Sequence, residues 1–144
     1  MLLLLTFFTV PPQVQSHLAQ GHFDEAFQMA LSANSLTLVV SLCEMVNPMQ
    51  VFNQNPCPIS QPSLLALIQQ LGHNLENKTE VKHKYLEEAV MALDKENPVT
   101  RQHINAILEG LQTKLQRYIA QHPNQKMTKQ MKMLNMATYS LMDA

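Results

Sequence analysis

Six histidines, two cysteines and a pair of adjacent glutamates are the residues with which this 144-residue chain could do chemistry. A zinc site needs four converging ligands. His17 and His22 lie five positions apart with no cysteine pair beside them, and Cys43 and Cys57 stand alone, fourteen apart. The two thiols read as reduced residues, with Cys43 acting as a small core hydrophobe. Nucleophilic catalysis would set a Ser or Cys beside a His and an orienting acid. The sequence has no Gly-x-Ser-x-Gly elbow, and its three scattered glycines cannot build a phosphate-cradling loop. Glu87 and Glu88 are neighbours, but adjacent helical residues diverge by about 100°. A solvated helix face, with Lys84 one turn from Glu88, accounts for them. No metal or cofactor pattern emerges, and the expectation is a binding module rather than an enzyme.

Charge placement says more than net charge, which is only −1. Residues 1–77 carry no Lys or Arg, against four acids, Asp24, Glu25, Glu44 and Glu76. Residues 110–142 carry five bases, Lys114, Arg117, Lys126, Lys129 and Lys132, and no acid. The spacing of Lys126, Lys129 and Lys132 puts them along one side of a helix. Such an end fits docking of an acidic protein segment or contact with RNA backbone. It equally fits bases that complement helix C-termini and keep a surface soluble. RNA is the weaker branch, because only Tyr118 and Tyr139 lie nearby as aromatics and no stacking platform interleaves with the bases. Methionine is also concentrated here, with Met127, Met131, Met133, Met136 and Met142 among the ten in the chain. Met127, Met131 and Leu134 follow a core spacing. Met133 and Met136 fall off it, as core filler or as an adaptable contact surface.

The elements that must carry these residues are helices. Apolar residues make up 46% of the chain and charged ones 15%, well below the roughly 25% usual in soluble domains. That balance excludes a disordered charged tail, and three glycines exclude collagen. Val14 and Leu18, then Phe23, Ala26, Phe27, Ala30 and Leu31, form two stripes around Gly21, an αα-hairpin. Leu36 to Val46 is apolar on nearly every side, as in an enclosed helix. Asn47-Pro48 supplies a cap and an N1 proline for a short helix to Phe52. Three prolines make Asn53 to Pro62 a loop. Ser60 precedes the stripe Leu64, Leu65, Leu67, Ile68, Leu71, and Asn77 with Glu80 resembles a capping box ahead of Val81, Tyr85, Leu86, Ala89, Val90 and Leu93. Asn97-Pro98 opens the longest helix, about 24 residues or ~36 Å, with Gly110 inside it. Pro123 ends that helix, and a last one runs from Gln125 to Met142. Seven or eight helices follow, either a globular bundle or a stacked array.

Met1 to Val10 is nearly all apolar and stops at Pro11-Pro12, about half the ~20 residues that span a bilayer. No base precedes the run and no small-x-small site follows it. A buried segment or a gene-model start is therefore favoured over a cleaved signal peptide. Asn77-Lys78-Thr79 fits a glycosylation acceptor, but reads better as a helix start.

Four blocks carry a resemblance. They are Gly21-His-Phe-Asp-Glu-Ala-Phe-Gln-Met-Ala-Leu31, Val39-Val-Ser-Leu-Cys-Glu-Met-Val-Asn-Pro-Met-Gln-Val-Phe52, Pro56-Cys-Pro-Ile-Ser-Gln-Pro-Ser-Leu-Leu-Ala-Leu-Ile-Gln-Gln-Leu71 and Lys84-Tyr-Leu-Glu-Glu-Ala-Val-Met-Ala-Leu-Asp94. From Val14 to Leu141 the chain resembles the C-terminal domain of the enhancer of mRNA decapping scaffold family, also called Hedls or varicose. Met1 to Val10 has no counterpart, so residues 1–12 are set apart from a helical-repeat domain over 13–144, and the short chain is expected to be a partial product or truncated paralogue.

The resemblance implies an all-α fold, seven or eight antiparallel helices stacked as an armadillo/HEAT-like array. It implies a non-catalytic scaffold without cofactor or metal, located in cytoplasmic processing bodies. Its implied protein partners are the decapping catalytic subunit, a decapping activator and a 5′-to-3′ exonuclease. Self-association would use a coiled coil outside this domain, and no membrane is implied. The expected partner surface is Lys114, Arg117, Lys126, Lys129 and Lys132. At Met133 the chain departs from the family's basic tendency.

Overall fold

Local signals set the helix starts. In the computed structural model, which describes residues 10–54 and 56–142, Asn47 Oδ1 accepts from the Met49 N–H (2.9 Å) ahead of a helix that begins with Pro48. Asn97 Oδ1 likewise accepts from Val99 N–H (3.0 Å) and Thr100 N–H (3.2 Å), and Ser35 Oγ from Leu38 N–H (3.3 Å). These side-chain acceptors satisfy first-turn amides that have no helical partner.

Every regular element among the described residues is an α-helix: α1 Pro12–Ala19, α2 Phe23–Ser32, α3 Leu36–Met45, α4 Pro48–Phe52, α5 Gln61–Leu71, α6 Thr79–Met91, α7 Pro98–Gln121 and α8 Lys126–Leu141. Gly21, at φ +77°, makes the turn between α1 and α2, a conformation that favours glycine. Three expectations need correction. Asn77 does not cap α6: Lys78 occupies that place in the left-handed region (φ 55°), without a side-chain cap, and Thr79 Oγ1 donates instead to Leu75 O (2.7 Å). Pro62 belongs to the first turn of α5, where its missing N–H costs nothing, rather than to the loop. The last helix is one residue shorter at each end than expected, with Gln125 as its N-cap. The expectation for Met1 to Val10 lies outside the described residues except at Val10, which is buried and whose carbonyl accepts from Gln15 Nε2 (2.7 Å).

The helices stack as hairpin layers. One layer is α2 with α3, the next α5 with α6, the last α7 with α8. α2, α5 and α7 follow one another along one side, and α3, α6 and α8 along the other. α1 packs on α2 and α4 packs on α6. This is the stacked-pair, armadillo/HEAT-like reading, each layer burying the apolar face of its neighbour. A continuous core runs through the stack, from Phe27, Val39 and Leu42 through Leu64, Leu67, Ile68 and Leu86 to Leu108, Leu115, Met131 and Leu134.

Corners between layers are tied by long-range hydrogen bonds. Tyr85 OH donates to Val46 O, and its ring stands 6.1 Å from Phe27 and 6.0 Å from Phe52. Asp24 Oδ1 accepts from Ser60 N–H (2.9 Å). Gln61 donates to Ala92 O (3.1 Å) and accepts from Asp94 N–H (2.9 Å) and Thr100 OH (2.6 Å). Residues of the four sequence blocks therefore hold layers together, which explains why those residue types stand there. Among the described residues no helix is long and apolar enough to cross a membrane.

Candidate interaction surface

The layer formed by α7 and α8 positions all five bases singled out in the sequence. Its inner side is fixed by Leu108, Leu111, Leu115 and Tyr118 of α7 against Met131 and Leu134 of α8. Gln112, buried on α7, donates to Thr138 Oγ1 (3.0 Å), and Thr128 OH donates to His122 O at the corner. With these positions turned inward, helical geometry turns Lys126, Lys129 and Lys132 outward, and all three are exposed.

The five bases do not meet in one patch. Lys114 and Arg117 line a cavity of about 200 Å³ with Gly72, Asn74, Glu76 and Tyr118. Lys114 Nζ lies 3.0 Å from His73 Nδ1, and Glu76 Oε1 lies 3.4 Å from His122 Nε2. That cleft is mixed in sign. Lys126 borders a separate groove of about 470 Å³ with Glu44, Lys78, Glu80 and Met127. Lys129 and Lys132 project from the outward side of α8. Lys126, Lys129 and Lys132 have no ion-pair partner among the described residues.

The methionines divide as their spacing divides them. Met131 is fully buried and Met127 partly so. Met133 is 59% exposed and Met136 71%, so these two lie outside the core. Tyr139 is 54% exposed and its hydroxyl accepts from Gln116 Nε2 (2.9 Å).

Perturbed titratable groups lie elsewhere and are structural. Burial raises the Cys43 thiol far above its ordinary range, with Glu44 adding to it, so Cys43 is the small core hydrophobe expected. Burial also raises Tyr85, whose hydroxyl is already committed to Val46 O. Cys57 is raised by burial, opposed by the backbone at Ile59. Lys82 is almost fully buried, and burial lowers its pKa; its ammonium donates to His73 O (3.1 Å) and Asn74 O (2.6 Å), just past the C-terminus of α5. Burial lowers His83 below its ordinary value, while Glu87 (3.5 Å) and the Gln130 carbonyl on α8 oppose the shift. Lys82, His83 and Gln61 were not singled out from the sequence. Each is a polar residue on an otherwise ordinary helix, and its partners come from the folding of the chain around it: the α5–α6 loop for Lys82, the α6–α7 corner for Gln61, and Glu87 together with α8 for His83. His17 and His22 have ring centroids 5.9 Å apart, and among the described residues no three His, Cys, Asp or Glu side chains converge as a metal site.

Three stacked hairpin layers, ending in a helix that shows solvent both bases and apolar side chains, define a helical-repeat domain of the armadillo/HEAT class. Within that class the likeness to known proteins is specific. The chain belongs to the family described as Enhancer of mRNA-decapping protein 4, C-terminal, which matches residues 14–134. It is 45% identical over 124 residues to the human Enhancer of mRNA-decapping protein 4, covering 86% of this chain and 9% of that protein. The Xenopus laevis protein of the same name is 47% identical over 110 residues, covering 76% of this chain and 8% of its own length. The Drosophila melanogaster homologue is 32% identical over 130 residues, covering 90% of this chain and 10% of its own length. The chain thus spans about a tenth of the curated relatives it matches. A crystal structure of the conserved C-terminal region of Ge-1 superimposes with a TM-score of 0.82 at 30% identity, covering 90% of this chain and 96% of that one. The resemblance read from the four sequence blocks is confirmed, as is the all-α stacked fold it implied.

Proposed function

We propose that the chain is a non-catalytic protein-interaction module of an mRNA-decapping scaffold. It supports assembly of the decapping complex and recruitment to cytoplasmic processing bodies. Its partners are decapping-machinery proteins: the catalytic subunit, an activator or a 5′-to-3′ exonuclease. The partner surface is the outward side of α8, with Lys126, Lys129 and Lys132, flanked by Lys114 and Arg117 in the cleft beside the α5–α6 loop. The observation that carries this reading is the set of three unpaired lysines on α8, in a chain whose family is named for enhancing decapping. An array of this kind offers broad outer surfaces rather than a deep reaction cavity. Direct RNA binding through the same lysines is the weaker fit, since Tyr139 is the single exposed Phe or Tyr side chain among the described residues.

The test is Lys129→Glu with Lys132→Glu in a tagged full chain. The helical signal is expected to stay unchanged while recruitment to granules is lost. Unchanged recruitment discards this surface. Titration of labelled single-stranded RNA at two ionic strengths serves the second reading, and absence of binding near physiological salt removes it.

A further inference from the structure

Exposed bases and exposed apolar residues are not mixed on α8 but segregated along its axis. Lys126, Lys129 and Lys132 step along the N-terminal half at i, i+3, i+6. Met133, Met136 and Tyr139 repeat the same step on the C-terminal half, each seven residues beyond one lysine. Seven residues are nearly two full turns, so each apolar residue lies on the same side as its lysine, about 10 Å further along. The outer face is thus a basic half followed by an apolar half. Three of the eight exposed large hydrophobics among the described residues fall in this half-helix. Tyr139 is held in place by the Gln116 bond, giving the apolar end a fixed edge, while the two methionines are adaptable.

Resting on the reading that α8 faces a protein partner, we propose that this face docks an amphipathic acidic helix. Its apolar side chains cover Met133, Met136 and Tyr139, and its carboxylates, two turns away, meet Lys126, Lys129 and Lys132. Charge complementarity selects this occupant. A second copy of the face would bring lysines and methionines but no carboxylate, because residues 110–142 contain no acid. RNA would neutralise the lysines and leave the apolar half uncovered. A membrane-lying helix carries its apolar strip along its whole length, with bases at the edges; here the two kinds of residue succeed one another instead. Recognition of an apolar stripe plus offset charges is the ordinary grammar of helix docking.

The experiment uses the 144-residue chain and a fluorescein-labelled helical peptide. Its leucines are grouped in one half of a single face and its glutamates in the other half of the same face. A control peptide of equal composition scatters them around the helix. The segregated peptide is expected to bind in the micromolar range at low salt, and the scattered one at least tenfold more weakly. Met133→Gln with Met136→Gln should weaken binding roughly tenfold by a factor that salt does not change. Lys129→Glu with Lys132→Glu should weaken it about as much at low salt and flatten the salt dependence. All four positions are exposed; circular dichroism checks each fold, and Met136→Gln alone, at a smaller loss, is the second variant. Equal binding of the two peptides overturns the proposal, as does a methionine variant that binds like the parent. Self-association in sedimentation, or binding to anionic vesicles, that disappears with Met133→Gln and Met136→Gln while the peptide fails to bind also overturns it. Granule recruitment separates the two readings. If lysine reversal abolishes recruitment and the methionine variant does not, the interaction module stands and the acidic-helix site falls. Peptide docking with recruitment indifferent to lysine reversal keeps the acidic-helix site and removes the recruitment role.

Discussion

Replacing Gln61 with Ala removes a side chain that ties α5 to the α6–α7 corner and to α7 by three hydrogen bonds. Its amide donates to Ala92 O (3.1 Å) and its carbonyl accepts from Asp94 N–H (2.9 Å) and Thr100 OH (2.6 Å). Thr100 is fully buried, so its hydroxyl would lose its partner away from water, which costs about 1–3 kcal/mol. Ala92 and Asp94 lie nearer solvent and can turn to water, so those two bonds add roughly 1 kcal/mol together. The expected loss is therefore about 2–4 kcal/mol, a fall in Tm of roughly 6–12 °C for a domain of this size. Urea unfolding followed by circular dichroism measures it. Gln61→Glu keeps an acceptor for Thr100 OH but turns a carboxylate oxygen toward Ala92 O, so its loss reports the missing donation together with that repulsion. Thr100→Val in the Gln61→Ala background should cost less than the sum of the single changes, because no orphaned hydroxyl remains. A Gln61→Ala loss below about 0.5 kcal/mol, or strict additivity with Thr100→Val, refutes the buried-partner reasoning.

Further outcomes follow from other sites. Burial holds the His83 pKa below its ordinary 6.5, so the unfolded chain takes up the proton first as pH falls. The stability contribution of His83 is then fully present above 6.5 and lost as pH drops through that value toward the lower folded one. His83→Gln should flatten this part of the pH profile relative to the parent chain, and identical profiles would show that His83 is not the source. Gly110 lies mid-helix with nothing within 4 Å of an added Cβ, so Gly110→Ala should raise stability by up to about 1 kcal/mol in the same unfolding assay. Gly21→Ala meets no obstacle either but stands at φ +77°, so it should lower stability by about 1 kcal/mol; a gain there would contradict the left-handed turn.

Much of this protein was legible in its residues because helix signals are local. A cap, an N1 proline and an apolar stripe act within about four residues of one another. Asn47-Pro48, Asn97-Pro98 and the stripes around Gly21 accordingly give helices where expected. The same locality separated Met131 from Met133 and Met136, since turning one side of a helix inward turns the other out. Tertiary structure decided what depends on neighbours thirty or forty positions away. It committed Tyr85 to Val46 and Gln61 to the α6–α7 corner, and put Lys114 beside His73. Nearer along the chain, the fold of the α5–α6 loop buried Lys82 over the end of α5 and gave the start of α6 to a left-handed Lys78 instead of an Asn77 cap. A pattern of residue types fixes which face of a helix is apolar. Only the stacking of layers fixes which polar atoms that face will meet, because those hydrogen bonds exist between elements and have no counterpart in the local chain.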